Sequence, residues 1–81
     1  MTIEQVRTVC NAQPFVPFAF HLADGRTISV PHRDFIALSP AGRTVIVYNE
    51  SETFNIVDLL LVTDIEVNPR NGTRRRRRRE S

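Results

Sequence analysis

The stretch FAFHLADGRTISV, residues 18–30, constrains the fold more than any other part of the chain. Phe18, Phe20 and Leu22 alternate with Ala19, His21 and Ala23, the period-two pattern of a half-buried strand. Asp24-Gly25 is a two-residue hairpin signal, and Ile28 and Val30 resume the alternation beyond it.

The segments around this hairpin read as one helix and more strands. Thr2 and Gln5 form a capping-box pattern, and Ile3, Val6 and Cys10, with Val9 beside them, give one apolar helix face. Asn11 and Pro14 mark the helix end. Pro14 and Pro17 then keep PFVPF extended. Beyond Val30, Pro31 interrupts the alternation. An unbroken strand would turn His32 and Asp34 inward at a cost, so a bulge or sharp bend is expected at PHRD. DFIAL resumes as strand, SPAG forms a turn, and RTVIVY is rich in β-branched residues. NESE is a polar turn and TFNIV a strand. DLL is a tight turn, and LVTDIEV is a last strand with Thr63, Ile65 and Val67 on one side. Val62, Ile46 and Tyr48 are then expected to face outward.

The expected fold is therefore mainly β: an N-terminal α-helix and about five antiparallel strands, the second long and bent, in a small barrel over residues 1–68. A barrel hides strand edges that so short a chain cannot otherwise cover. Chains of this size bury only about 60% of their unfolded surface, which makes stability marginal. The single cysteine, Cys10, permits no internal disulfide and is expected to be a small core residue.

Charge divides the chain. Residues 1–73 hold five arginines against eight acids, a net of −3, while the last eight residues hold six arginines and Glu80, a net of +5. The basic character belongs to the tail, and the folded part is mildly acidic. Residues 69–81 lose apolar side chains entirely and are expected to be a disordered arginine-rich tail. All eleven basic residues are arginine, a bias that GC-rich codons produce. A solvated extension, a polyanion contact, and arginines folded back on Glu50, Glu52, Asp64 or Glu66 in weak exposed pairs are the three readings this leaves open. No apolar run approaches the roughly 20 residues of a membrane span, and MTIEQVRTVCN lacks a signal-peptide core. A cytoplasmic location is the expectation.

Helix, strand into a D-G turn, long bent strand and three more strands form a layout that resembles the Sm-like (LSm-type) superfamily. FAFHLADGRTI resembles the opening of the Sm signature, with Gly25 and Arg26 at its Gly-Arg positions. The run PFVPFAFHLADGRTISVPH, residues 14–32, is also similar to that of an uncharacterised group of short bacterial proteins sharing PF-x-PF-x-x-x-L-x-DGR-x-x-x-V-x-H. That second resemblance brings a pattern and no activity. The Sm resemblance implies rings in which the fourth strand of one subunit pairs with the fifth of the next, often with RNA in the pore. The chain departs from Sm proteins at Val30, where they usually have Gly, and at SPAG and DLLLVTD, where they carry base-contacting residues. Pore-type RNA recognition is therefore not implied.

No constellation points to catalysis. His21 and His32 have no partner at metal-ligand spacing, and Asp34 beside Arg33 is expected in a surface pair. Asp64 and Glu66 face outward from the last strand, where two carboxylates are usually solvated. Gly25, Gly42 and Gly72 form no phosphate loop. Ser29, Ser39 and Ser51 fit no triad, and Asn71-Gly-Thr73 matches a glycosylation sequon by chance. The expectation is a protein that is not an enzyme and needs no cofactor or metal.

Two functions remain. One is a ring-forming homo-oligomer that binds RNA or another polyanion through Arg74, Arg75, Arg76, Arg77, Arg78 and Arg79. Six such charges give a salt slope of about −4 on single strands, with no sequence preference. The other is a protein-protein interaction module whose tail is only a solvated extension.

Overall fold

The computed structural model describes residues 1–68. The expected tail, residues 69–81 with Arg74–Arg79, lies outside the described residues. Within them the chain runs α1 (Ile3–Cys10), β1 (Phe18–Leu22), β2 (Thr27–Val30), a 3-10 turn (Arg33–Phe35), β3 (Ile36–Leu38), β4 (Thr44–Tyr48), β5 (Phe54–Asp58), a second 3-10 turn (Leu59–Leu61) and β6 (Val62–Val67).

α1 starts at the expected capping box. The Gln5 N–H donates to Thr2 Oγ1 at 3.3 Å, and the Thr2 N–H donates to Gln5 Oε1 at 2.9 Å. Both are otherwise orphan donors of a first helical turn. The expected face is the buried one: Val6 and Cys10 are in the core, with Ile3 and Val9 packed at its margin. Burial raises the Cys10 thiol above its ordinary value, partly offset by the nearby Arg33 guanidinium.

The strands form two antiparallel three-stranded sheets, ordered β2-β1-β6 and β3-β4-β5. Expectation and structure differ here in two linked ways. The long second strand is two strands, β2 and β3, so there are six rather than five. Nor do the sheets close into a barrel by hydrogen bonding. Pro31 has no N–H to give a ladder, and His32–Phe35 folds into a 3-10 turn, with the Phe35 N–H on the His32 carbonyl at 3.0 Å. That turn carries His32 and Asp34 to the surface.

The β1–β2 hairpin keeps the expected position with a longer loop. Leu22 N–H bonds the Arg26 carbonyl and Gly25 N–H bonds the Leu22 carbonyl, which leaves the three residues Ala23, Asp24 and Gly25 outside the ladder. Gly25 has φ +94°, the left-handed position of a three-residue hairpin. The β4–β5 hairpin repeats the design. Asn49 N–H bonds the Thr53 carbonyl, Glu52 N–H bonds the Asn49 carbonyl, and Glu52 takes the left-handed place at φ +69°.

The core lies between the two sheets and under α1. β1 supplies Phe18, Phe20 and Leu22, and β2 supplies Ile28 and Val30. β4 supplies Val45 and Val47, and β5, the second 3-10 turn and β6 add Val57, Leu59 and Val62. Phe18 and Phe20 are fully buried and meet edge to face, with centroids 5.4 Å apart. Val62 corrects an expectation: it is 5% exposed rather than outward. In the β1–β6 register Asp64 opposes His21 and Val62 opposes Leu22, so Thr63 is the extra residue of a bulge. The bulge shifts the alternation by one, turning Val62 inward. It also leaves Thr63 exposed, its hydroxyl donating to the His21 carbonyl at 2.9 Å.

Candidate functional site

The surface is set by which strands end each sheet. Each sheet ends on two strands: β2 and β3, joined through the first 3-10 turn, form one end of each, and the other ends are β5 and β6. They are consecutive in the chain yet belong to different sheets. The second 3-10 turn carries the chain between them, capped by Asp58, whose Oδ1 accepts the Leu60 N–H at 2.9 Å. Among the described residues, each of these two edges pairs on one side only.

β5 carries large apolar side chains into solvent. Ile56 is 67% exposed and pairs with Ile46; Phe54 is 55% exposed and pairs with Tyr48, their rings 6.0 Å apart. The alternate positions Val45 and Val57 are buried, so the β3-β4-β5 sheet is apolar on both faces. At the adjoining turn Leu60 is 82% exposed and Leu61 48%. Natural edges are usually blunted by lysine, proline or inward charge. β5 has none of these until Asp58.

The polar candidates distribute differently. His21 does face outward, as expected, with Nε2 2.9 Å from Glu66 Oε1 and Nδ1 3.2 Å from Thr27 Oγ1. Glu66 faces outward as expected and is paired there, its side chain still 39% exposed. Arg33 does not pair with Asp34. It donates from Nε to the Cys10 carbonyl at 3.1 Å and from Nη2 to Asn11 Oδ1 at 3.3 Å. The last carbonyls of a helix have no internal partner and attract a cation, which outweighs an exposed pair between chain neighbours. Among the described residues His, Cys, Asp and Glu side chains form no group of three able to hold a metal, and no helix is long and apolar enough to cross a membrane.

Sequence reading named Ile46 and Tyr48 as outward and missed Phe54, Ile56, Leu60 and Leu61. Phe54 and Ile56 were legible in principle, since they alternate with Val57 once β5 is known to be an outer strand. Arg74–Arg79, the expected polyanion contact, lie outside the described residues.

No family model, curated protein or solved structure matches the chain.

Proposed function

We propose that this chain is a non-catalytic assembly module of Sm-like strand arrangement. Its copies join through the edges of β5 and β6, and its arginine run, Arg74–Arg79, binds RNA or another polyanion without sequence preference. The observation that carries the reading is β5: an unblunted edge strand whose outward Phe54 and Ile56 are more than half exposed. A strand with free backbone donors and apolar cover is a template for another strand. An edge pairing of β5 with another copy's β6 is heterologous, and such contacts close into rings when the rotation permits. Weak polyanion contacts made by several copies held in one ring add by avidity.

The test is light scattering of the full chain on a sizing column, with RNA titrations of the same sample. The expected result is one closed species of about five to seven subunits. Its RNA affinity falls steeply with salt and is lost when Arg74–Arg79 are replaced by serine. A monomer at every concentration removes the ring. Unchanged RNA affinity in the serine variant removes the tail contact. One feature favours the second reading, a module for a different protein partner: Leu60, the most exposed of the large apolar residues, lies in the turn and not on a strand edge. A monomer that loses no RNA affinity would leave that reading in place.

A further inference from the structure

The outward face of the β3-β4-β5 sheet is built in three rows. Register sets Ala37, Ile46 and Ile56 side by side across the three strands. Tyr48 and Phe54 form the row at one end, their rings 6.0 Å apart, and Thr44 and Asp58 form the row at the other. Sheets usually bury an apolar face against a second layer. Here Tyr48, Phe54 and Ile56 are left exposed. Charge bears on what can cover them. Residues 1–68 carry four arginines against eight acids, so two copies of the domain repel. The outward face of the other sheet holds Asp64 and Glu66 beside His21. The strand residues of the β3-β4-β5 face hold one carboxylate, Asp58, and it stands at the end. Of the two sheet faces this is the one on which acidic copies meet at least electrostatic cost.

We infer that this face binds the same face of a second copy as a two-fold pair, in which Tyr48 of each copy donates to Asp58 of the other. The ends of the face match one another. The Tyr48 hydroxyl needs an acceptor once its ring is covered. Asp58 Oδ1 takes the Leu60 N–H, and a carboxylate has a second oxygen to offer. The two end rows lie about 13 Å apart along the strands. A two-fold axis in the plane of contact and across the strands lays the Tyr48–Phe54 row of each copy over the Thr44–Asp58 row of the other. The Ile46–Ile56 rows then meet at the axis, and the two carboxylates stay apart. A self-complementary patch of this kind is what an isologous contact requires.

Area sets the strength. With Tyr48, Phe54 and Ile56 each roughly half to two-thirds uncovered, the face presents on the order of 300–400 Å² per copy. A stable interface takes about 800 Å² per partner. The pair is therefore weak, and it forms as concentration rises. It is separate from pairing through strand edges, and either contact can exist without the other: rings joined by their edges would pair into double rings, and lone subunits into dimers.

The experiment is sedimentation equilibrium of the full chain from about 10 μM to 1 mM, the range in which a contact this small is half formed. The expected result is a mass that doubles across that range, from whatever species is present at dilution. Ile46→Lys puts a charge at the centre of the face and leaves both strand edges intact, because β4 is the middle strand of its sheet. It is expected to abolish the doubling while the far-ultraviolet circular dichroism stays that of the parent. Tyr48→Phe keeps the ring and removes the donor, and is expected to weaken the doubling about tenfold. A ring that never doubles overturns the face pairing and leaves the edge pairing standing. Doubling from monomer to dimer alone supports the face pairing and removes the ring. A mass that stays constant in the parent leaves the face to a different protein and overturns the inference, as does doubling that persists unchanged in Ile46→Lys or in Tyr48→Phe.

Discussion

Ile3, the first residue of α1, lies directly over Gly42 in the turn between β3 and β4. A Cβ at position 42 would stand 3.1 Å from Ile3 Cγ2, and Gly42 has φ +76°. The helix therefore begins on a spot where the turn has both no side chain and a left-handed backbone. Gly42→Ala meets both penalties, a left-handed cost of about 1–2 kcal/mol and a contact that Ile3 must yield to. The expected loss is about 2 kcal/mol in urea unfolding, with α1 loosening first in amide exchange. Gly25→Ala meets only the backbone cost, because nothing lies within 4 Å of its added Cβ. It is expected to be the milder of the two.

Glu52 occupies the left-handed position that Gly25 fills in the other three-residue hairpin. Its side chain makes that conformation costly, which glycine relieves at some expense in unfolded-chain entropy. Glu52→Gly is expected to raise stability by about 0.5–1 kcal/mol. A neutral or destabilising result in urea unfolding would mean that the Glu52 side chain has a partner in the native state.

Ile56 is the most exposed apolar residue on a strand edge. Ile56→Lys places a charge on the free edge, the device natural sheets use against edge pairing. The expected outcome is loss of assembly on a sizing column, with monomer stability within about 0.5 kcal/mol of the parent's folded subunit. Unchanged assembly moves the contact away from β5.

Asp24 predicts a pH dependence of the β1–β2 hairpin. The Arg26 backbone N–H, at 3.0 Å from Oδ1, is the main cause lowering its pKa, with the Arg26 guanidinium adding to it. A carboxylate lowered on folding stabilises the hairpin above its unfolded pKa, about 3.9, and that contribution fades as pH falls through the lower folded value. The Arg26 amide signal is expected to titrate below the ordinary aspartate range. Asp24→Asn is expected to remove that titration while leaving the Gly25 turn in place.

Much of this architecture is legible in residue order. The capping box at Thr2 and Gln5, the alternation through Phe18–Leu22 and Ile28–Val30, and the stop at Pro31 are local effects. They depend on side-chain geometry within a few residues, so sequence carries them directly. The bulge at Thr63 is not local. Counting back from Ile65 puts Val62 outside, and only the register against Leu22 and His21 shows that an extra residue intervenes. Arg33 is similar: its chain neighbour Asp34 looks like its partner, while its actual acceptors, Cys10 and Asn11, are more than twenty residues away.

The sequence by itself determined the helix, the hairpins, the apolar faces and the separation of an acidic domain from an arginine run, because propensity, alternation and charge are properties of short segments. Tertiary structure alone decided that β5 and β6 stand as free edges, that Phe54 and Ile56 are left in solvent, and that Ile46, Tyr48 and Asp58 share one sheet face with them. Those facts depend on which strands are neighbours across the two sheets. Pairing between distant segments is a property of the whole packed chain, and no short stretch of it encodes that choice.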